Sequence, residues 1–435
     1  MTRDEQKAKQ KRVLSGMRPT GRLHIGHYFG ALSNWLKMQE EYDCYFFVAD
    51  WHALTTHYAD SSQVASNTLE VATDWLAVGL DPAKATLFIQ SSVPEHAELH
   101  LLLSMITPLS WLERVPTYKE QIENLRDKDL GTYGFLGYPL LQGADIVMYG
   151  EPGQELLVPV GEDQAPHIEM TREIVRRFNF YFGAKLRSDL STEQKSEAMN
   201  LVFIHLPPGH YEGSVQSDAV VLLSHARSEL GLERFLEVIR SRPDLFTPPD
   251  VLQEPDVILT ETPRVPGTDG RRMAKSYGNA IWLSDTPEEI RKKAHNMMTD
   301  PQRVRRTDPG RPEVCPVFAY HNLFPVEKSA EDRARIERVD RECRKAEIGC
   351  VDCKKLMADA LVKWIEPIQA RRREYEANPQ RVWGILDDGS KRAKGVAEKT
   401  MERVRQAVFK WEEAGRPSLA AGKDEGSVTA SGGVK

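Results

Sequence analysis

Cysteine is scarce in this sequence, with five residues among 435. An odd number of cysteines in so long a chain does not make a disulfide framework, which excludes a small disulfide-held scaffold. No stretch approaches 18 uninterrupted apolar residues, so no membrane span is predicted. The first residues, MTRDEQKAKQKRVL, are charged and lack an apolar centre. We therefore expect no secretory signal and a cytoplasmic protein.

A large excess of charge of one sign is also missing, because the formal net charge is −6. This value disfavours wholesale coating of a nucleic acid but is compatible with a local basic groove. Hydrophobic residues make up 40% of the chain and charged residues 28%, which is typical of a soluble globular protein. The length allows one or two large domains with ample core.

Alternating strands and helices are predicted for the first third of the chain. Residues 42–50 (YDCYFFVAD) and 85–92 (ATLFIQSS) are short apolar runs typical of buried parallel strands. Between them, residues 61–80 have helical spacing and begin with serines suited to capping. Strand–helix–strand units of this length predict an α/β fold with a parallel sheet. A strong amphipathic helix is predicted at 166–183, ending near Gly183.

The second half of the chain changes character several times. Residues 185–252 mix loop and helical patterns, and residues 259–284 are rich in Pro, Gly, Lys and Arg, which predicts a long functional loop. From about residue 286 the pattern is mainly helical. The last residues, AAGKDEGSVTASGGVK, form a small-residue polar tail that we predict to be disordered.

The segment SGMRPTGRLHIGHYFGAL (15–32) combines a turn with the motif HIGH and a predicted helix. Gly26 would let a ligand lie directly on the backbone, and His24 and His27 would face the same site. A helix N-terminus with adjacent donors suits phosphate oxygens. Taken alone, the motif is equally compatible with a loop that carries two incidental histidines.

A second basic loop, GRRMAKSYGN (270–279), carries Lys275 and Ser276 among glycines. By itself it is more typical of solvated surface than of a site. Paired with HIGH, it resembles the two signatures of class I aminoacyl-tRNA synthetases. Arg272 and Ala274 stand where that family commonly has Lys and Ser, so the phosphate role is assigned mainly to Lys275.

The middle of the chain narrows the resemblance. GYPLLQGADIVMYG (137–150) and VPVGEDQAPHIEMTREIVRRFN (158–179) resemble tryptophanyl-tRNA synthetase of the bacterial type. SGMRPTG, VADWHALTTHY, TYKEQ, LTETPRVPG and MMTDPQRVRRTDPG fit the same family. The resemblance implies a Rossmann-type parallel-sheet catalytic domain followed by a helical anticodon-binding domain.

This resemblance divides the chain into five parts. They are an N-terminal basic extension (1–12), a catalytic domain in two pieces (13–184 and 253–295), an insertion of unknown role (185–252), a helical anticodon-binding domain (296–412) and a tail (413–435). The insertion has no counterpart in the family pattern, in which RRFN is followed closely by the TETP loop.

A tryptophan pocket needs an acceptor in an otherwise apolar wall, because indole offers one N–H donor. Asp145 could be that acceptor, although without the family a capping or surface aspartate would be the simpler interpretation. The resemblance makes Asp145 the expected indole acceptor. It also implies a wider set of tryptophan-binding residues, of which the apolar ones are more often plain core: Leu14, His52, Tyr138, Gln142, Val158, Val160 and Gln164.

The implied reaction has two steps and needs no protein nucleophile. The carboxylate of L-tryptophan attacks the α-phosphate of ATP, which gives tryptophanyl-adenylate and pyrophosphate, and tryptophan then passes to the 3′ end of tRNA(Trp). Catalysis is positioning plus neutralisation of charge on the phosphates. The catalytic residues expected from the family are His24, His27, Lys275 and Lys119. Mg²⁺ is expected on the polyphosphate, held by substrate oxygens and water.

The remaining expectations also come from the family. A homodimer is expected, and the ATP-binding residues would be Arg18, Thr20, Gly26, His27, Gly161, Glu162, Asp163, Arg272, Met273, Lys275 and Ser276. Two alternatives stay open. One is tyrosyl-tRNA synthetase, which shares the fold and signatures. The other is a non-catalytic paralogue that binds nucleotide or RNA.

Four of the cysteines, Cys315, Cys343, Cys350 and Cys353, lie at intervals of 27, six and two residues. Cys44, in an apolar strand, is expected to be core. A redox pair would need a thioredoxin-like context, which is missing. Four thiolates suit zinc or a 4Fe–4S cluster, and the spacing leaves both open. A subset of tryptophanyl-tRNA synthetases carries a similar set around a 4Fe–4S cluster, although the first interval here is longer than in that pattern. The resemblance therefore favours iron–sulfur, with zinc as the alternative.

Overall fold

The computed structural model describes residues 11–115, 118, 131–161, 164–183, 185–187, 189–206, 219–247, 250–260 and 264–409. Most of the predicted extension and all of the predicted tail lie outside these ranges. Within them the chain forms a five-stranded sheet surrounded by helices. The α/β prediction with a Rossmann-type parallel sheet is therefore confirmed.

The sheet is parallel in every pairing and has the strand order β3-β2-β1-β4-β5. Its strands are β1 (Arg12–Met17), β2 (Asp43–Val48), β3 (Ala85–Ile89), β4 (Leu156–Val160) and β5 (Pro255–Leu259). β1 pairs with β2 along its whole length, but with β4 only at Arg12 and Val13. β1 and β4 therefore separate towards their carboxyl ends. In open α/β sheets this is the place where ligands bind, because the strand order reverses there.

The helices of the described ranges cover both faces of the sheet. The first, α1, consists of one turn at Ile25–His27, a π-helical turn at Tyr28–Leu32 and an α-helix at Ser33–Glu41. The others are α2 (Asp50–His57), α3 (Val64–Val78), α4 (Glu95–Ser104), α5 (Leu109–Glu113), α6 (Tyr133–Leu136), α7 (Tyr138–Val147), α8 (Ala165–Phe182), α9 (Thr192–Phe203), α10 (Ala219–Arg240), α11 (Pro287–His295), α12 (Pro316–Leu323), α13 (Ala330–Arg344), α14 (Cys350–Glu376) and α15 (Pro379–Phe409). No helix in this part of the chain combines the length and apolar character needed to cross a membrane.

Successive strand residues supply two separate cores, as the period of two requires. Val13, Cys44 and Phe46 pack into the core beneath α1, α3 and α14. Leu14 and Phe47 pack into the core on the opposite face, with α4, α7 and α8. Burying each such large apolar side chain stabilises the fold by about 1.5–3 kcal/mol. Cys44 has no exposed surface, which confirms that it is core.

The predicted elements occur with shorter bounds. The run 85–92 ends as a strand at Ile89 and continues as a 3₁₀ turn. The helix predicted at 61–80 is α3. The prediction that a serine caps it is wrong, because Gln63 occupies the N-cap and its side chain makes no capping bond. Ser62 instead donates its backbone N–H to Asp60 at 3.0 Å, so the serines belong to the preceding turn. The helix predicted at 166–183 is α8, which ends at Phe182 with Gly183 as its C-cap.

The stretch predicted as an insertion has an apolar core of its own. Its buried side chains come from α9, α10 and the segments beside them, and form a cluster apart from the two cores of the sheet. Leu186 pairs with Phe246, and Thr247 donates its N–H to the carbonyl of Lys185 at 2.8 Å. The two ends of the stretch are thus joined at its base. α10 is broken at Gly231, which has φ 73°.

Helix α15 covers β3, the edge strand of the sheet. Gly389 lies against the backbone carbonyl of Leu87, so closely that a Cβ on this glycine would collide with it. The next residue, Ser390, accepts the N–H of Ile89 through its hydroxyl at 3.3 Å. The exposed polar groups of an edge strand invite unwanted pairing. In this protein a helix that approaches through a glycine protects them.

We predict that Gly389→Ala lowers the free energy of unfolding by about 1–3 kcal/mol, because the added methyl group forces α15 away from β3. Gly384 lies in the same helix, and a Cβ added there would meet no atom within 4 Å, which makes Gly384→Ala the control. That change should raise stability by about 0.5–1 kcal/mol through helix propensity. Chemical denaturation measures both. Equal effects of the two substitutions would contradict the close approach.

Candidate active site

The two signature segments are joined by backbone hydrogen bonds. Ile25 donates its N–H to the carbonyl of Ile281 at 3.0 Å, and Leu283 donates to the carbonyl of Leu23 at 2.9 Å. His24 and Trp282 pair as an antiparallel β-bridge between these two bonds, and their ring centroids are 5.9 Å apart. The loop that carries Lys275 is thereby held beside HIGH, beyond the carboxyl end of β1.

The two histidines of HIGH form a compact pair. Their ring centroids are 3.7 Å apart, and the backbone N–H of His24 donates to Nδ1 of His27 at 3.1 Å. A Cβ on Gly26 would lie 2.9 Å from the His24 ring, so only glycine fits between the rings and the turn. Burial lowers the pKa of His24 to about 4, and the charge of Lys275 acts in the same direction. Burial, His24 and Lys275 lower the pKa of His27 to about 3. Both imidazoles are therefore neutral near pH 7.

Lys275 reaches back to the turn that precedes HIGH. Its Nζ donates to the carbonyl of Thr20 at 2.9 Å, to the Thr20 hydroxyl at 3.1 Å and to the carbonyl of Gly21 at 3.0 Å. Burial lowers the pKa of Lys275 to about 8, while the nearby carboxylate of Asp74 acts in the opposite direction. The ammonium is therefore mostly charged at pH 7, and its present partners are three neutral oxygens. An anionic oxygen would be a stronger partner for it.

The loop around Lys275 is organised by Asn279, which is buried. Its side-chain oxygen accepts the N–H of Ala274 at 2.9 Å, and its amide nitrogen donates to Asp269 at 2.7 Å and to the carbonyl of Arg272 at 3.1 Å. Met273 packs into the core, whereas the predicted nucleotide contacts Arg272 and Ser276 are on the solvent side. The loop thus has a rigid inner side and a solvent-facing outer side.

Asp145 lies on α7 with 1% of its surface exposed, and three side chains surround its carboxylate. Gln90 donates to both oxygens at 2.9 and 2.8 Å, His52 Nε2 lies 2.8 Å from Oδ2, and His96 Nδ1 lies 2.6 Å from Oδ1. Burial acts to raise the pKa of Asp145, but His96 and His52 outweigh it and the pKa falls to about 2. The group is therefore a buried anion at neutral pH. Tyr149, at 2.8 Å from His96 Nε2, completes the network.

The other predicted tryptophan-binding residues occupy the same end of the sheet. Leu14 and Val158 are buried core residues of neighbouring strands, and Val160 is half-buried at the carboxyl end of β4. Gln142 accepts from His167 Nδ1 at 3.1 Å, so its side-chain oxygen already has a partner. Tyr138 lies 6.0 Å from the His167 ring, measured between ring centroids.

Three further predicted residues lie at the rim of the site. Gln164 is the N-cap of α8, and its backbone N–H donates to the carbonyl of Gly161 at 3.0 Å. Arg18 is exposed beyond the end of β1 and interacts electrostatically with Tyr138. The predicted residues Lys119, Glu162 and Asp163 lie outside the described residues.

Of the three side chains that contact Asp145, sequence reasoning named His52 as part of the site but missed Gln90 and His96. Gln90 follows β3 directly, and His96 lies in the first turn of the helix after it. A polar residue immediately after a buried parallel strand points into the binding crevice, and this rule would have identified Gln90. Asp74 was also missed, although a carboxylate within the apolar run VATDWLAV was a visible signal.

The four cysteines Cys315, Cys343, Cys350 and Cys353 come from three separate elements, around the start of α12, the end of α13 and the start of α14. Burial raises the pKa of Cys353 to about 12, and the other three thiols act in the same direction. Nitrogen atoms approach two of the sulfurs, from Arg303 at 3.7 Å and His321 at 3.4 Å. Within the described ranges, no group of three or more His, Cys, Asp or Glu side chains is arranged to hold a metal ion.

Comparison with known proteins extends over most of the chain. Residues 6–194 and 230–366 match the family described as tRNA synthetases class I (W and Y). A tryptophan–tRNA ligase of Ralstonia nicotianae is 47% identical over 92% of this chain and 98% of that protein. One of Thermotoga maritima is 44% identical over 91% of this chain and 98% of its own length.

A solved structure gives the same result. The tryptophanyl-tRNA synthetase of Campylobacter jejuni, complexed with ADP and tryptophan, superimposes with a TM-score of 0.66 at 25% identity, covering 93% of this chain and 100% of that one. The resemblance inferred from the motifs is thus confirmed. The chain belongs to the class I tRNA synthetases of the tryptophan and tyrosine type and, within them, to the tryptophan–tRNA ligases.

Proposed function

We propose that this chain activates L-tryptophan with ATP and transfers it to tRNA(Trp), and that the crevice between β1 and β4 is where the adenylate forms. The observation that carries the proposal is the meeting of three groups at one end of the sheet. These are the paired histidines of HIGH, the ammonium of Lys275 and the buried anion Asp145. One side of the crevice suits phosphates and the other suits an aromatic N–H.

On the phosphate side, Lys275 is the cationic group. It exchanges its bonds to Thr20 and Gly21 for phosphate oxygens as negative charge develops on the leaving pyrophosphate. His24 and His27 are neutral, so they contribute hydrogen bonds and not charge. The roles of Lys119 and of the other predicted nucleotide contacts remain proposals from the family.

On the tryptophan side, Asp145 receives the indole N–H. A carboxylate has about four acceptor positions, and His52, His96 and Gln90 already make four contacts with it. The indole N–H must therefore displace one of these donors. His52 is the more accessible of the two histidines, with 12% of its side chain exposed, whereas His96 is wholly buried. We assign the displacement to His52, while Gln90 and His96 keep the carboxylate in place.

Selectivity follows from the same anion. Phenylalanine has no donor for Asp145, so binding it would leave a buried charge without its partner. A site that hydrogen-bonds its substrate rejects analogues without the donor more strongly than a shape-selective pocket can. A separate editing step is therefore not needed to exclude phenylalanine.

Magnesium is expected on the nucleotide phosphates, where it neutralises charge and orients the chain of phosphates. Two buried carboxylates beside the signature segments, Asp74 and Asp285, are already paired with Arg372 and Lys293. The ion would therefore be held by ATP oxygens and water.

The alternatives are less well supported. Tyrosine activation is disfavoured by the relatives, since those with 47% and 44% identity are both named tryptophan–tRNA ligase. A silent paralogue is disfavoured by the intact geometry of HIGH and Lys275. Exchange of labelled pyrophosphate into ATP with each amino acid separates the three functions.

A homodimer accounts for an exposed apolar surface beside the site. Helix α4 buries Leu99 and Leu103 but leaves Leu101 and the adjacent Met105 54% and 71% exposed. A cavity of about 350 Å³ lies next to this surface. Most of the surface that lines it is apolar, and two of the lining side chains, Tyr58 and Tyr133, are exposed. Contiguous apolar surface of this kind marks an interface, and a second copy of the chain is the proposed partner.

The domain division remains a proposal. It is supported for 185–252 by the separate apolar core and by the family match, which omits residues 195–229. The helical part from 296 onward is proposed to bind the anticodon arm.

The cysteine set is proposed to hold a 4Fe–4S cluster, with zinc as the alternative. The spacing of the four cysteines in the sequence supports this proposal, as do the nitrogen atoms of Arg303 and His321 beside two of the sulfurs, since N–H donors tune cluster thiolates. The described side chains are not arranged to hold a metal ion, so the thiols would have to move to bind one. The role would be structural or directed at tRNA, because adenylation needs no electron transfer.

We predict that Asp145→Asn lowers kcat/KM for tryptophan by about 10- to 150-fold, which corresponds to about 1.5–3 kcal/mol for a hydrogen bond to a charged group. Asp43→Asn is the control, because Asp43 is also buried and pairs with Arg12 at the opposite end of the sheet. Pyrophosphate exchange measures both variants. Unchanged tryptophan activation in Asp145→Asn would refute the assignment.

Lys275→Ala is expected to slow adenylate formation at least about 100-fold while the dissociation constant for tryptophan stays within about twofold, because the ammonium acts on charge that develops in the transition state. Since the pKa of Lys275 is about 8, the kcat/KM of the parent protein for ATP should fall as the pH rises through 8 and the charged form of Lys275 disappears. Lys275→Arg should remove that alkaline decline. Arg271→Ala is the control, because Arg271 pairs with Asp269 on the same loop. A raised KM for tryptophan at unchanged kcat would rule out this role.

Anaerobically purified protein is expected to be brown and to hold about four irons and four sulfides per chain. Cys353→Ser should lose the colour, whereas Cys44→Ala, which alters a cysteine of the sheet core, should keep it. Metal and sulfide analysis with absorption spectra provide the measurement. Colourless parent protein with one tightly bound zinc would establish the alternative metal.

A further inference from the structure

A fully buried carboxylate lies beneath the turn that leads into HIGH. Asp74, on α3, has no exposed surface. Its Oδ2 accepts the backbone N–H of Leu23 at 2.7 Å, one residue before His24. Burying a charge is costly unless it is paired and hydrogen-bonded, so this carboxylate requires a cationic partner.

Arg372, from α14, is that partner. Its Nη1 bonds to Asp74, its Nη2 lies 2.5 Å from Glu70, and its Nε lies 3.1 Å from Glu376. The guanidinium is 3% exposed. A planar donor group that is hydrogen-bonded to two carboxylates and lies beside a third has little freedom, so it sets the position of the Asp74 carboxylate.

One face of α3 follows the turn residue by residue. The side-chain oxygen of Asn67 lies 3.2 Å from the position that a Cβ on Gly21 would occupy. Gly21 itself has φ +92°. Glu70 lies 3.8 Å from Nε of Arg22, and Asp74 bonds to the next residue of the turn. Positions three and seven apart share a helix face. Three polar side chains on that face thus support the turn.

The same turn is also the docking point of Lys275. The ammonium bonds to the carbonyls of Thr20 and Gly21, while the bond to Asp74 is made at Leu23. Any displacement of this short segment therefore moves the HIGH histidines and changes where Lys275 rests. Misplacing a reacting group by about 1 Å can cost about a hundredfold in rate.

We propose that Asp74 and Arg372 are positioning residues for adenylate formation. Arg372 fixes the Asp74 carboxylate, and that carboxylate fixes the backbone from which both phosphate-binding signatures are placed. Neither residue touches the substrates. The proposal rests on the proposed function, because it names the residues that hold its phosphate side in place.

The test compares three variants of the full-length protein, each assayed well below its own unfolding temperature. Arg372→Met removes the guanidinium, and Arg372→Lys restores a positive charge that can reach Asp74. Arg371→Met is the matched control, because Arg371 also joins α14 to α3, through a 2.6 Å bond to the carbonyl of Ala77, but does not contact Asp74. Pyrophosphate exchange gives kcat and KM for ATP, fluorescence titration gives the Kd for tryptophan, and thermal melts give stability.

Arg372→Met should lower kcat for adenylate formation by at least about tenfold and raise KM for ATP, with the tryptophan Kd within about twofold of the parent. Arg372→Lys should recover part of the lost rate. Arg371→Met should lose stability only. Equal kinetic losses in Arg371→Met and Arg372→Met, or a normal kcat in Arg372→Met, would overturn the positioning role. Lack of exchange activity in the parent would instead refute the proposed function itself.

Discussion

The parting of β1 from β4 is the constraint on which the whole site depends. The two strands share hydrogen bonds only at their first residues, so a crevice opens at their carboxyl ends. The candidate site residues lie on segments that follow the strands. HIGH follows β1, His52 follows β2, Gln90 follows β3 and Gly161 follows β4. In a parallel sheet the segments that follow the strands all lie at the same edge, so this arrangement follows from the topology of the sheet.

Burial then gives the two sides of the crevice opposite electrical characters. Around HIGH it makes the histidines neutral and leaves Lys275 as the cation. Around Asp145, the carboxylate stays ionised because His96 and His52 outweigh the cost of burying its charge. The same physical effect, removal from water, thus has different outcomes because the neighbours differ.

Helices α14 and α15 pack against the part of the chain that contains the sheet, and two of their contacts bear on its architecture and on the candidate site. Gly389 and Ser390 of α15 lie on the edge strand, and Arg372 of α14 reaches under the HIGH turn. α14 also carries Cys350 and Cys353 in its first turn, about 33 and 29 Å from Arg372 at 1.5 Å per residue. One helix therefore spans from the cysteine set to the turn that precedes HIGH.

The sequence by itself determined the parallel sheet, the two signatures and the identity of Asp145 as a candidate acceptor. Those features depend on local patterns, namely short apolar strands, Gly-rich loops and motifs in a given order. Tertiary structure alone decided which donors surround Asp145, where Lys275 rests and that Asp74 pairs with Arg372. These partners are far apart in the chain, 298 residues in the last case, and no local periodicity encodes such a meeting. Packing of α3 against α14 brings them together, and burial then makes their pairing necessary.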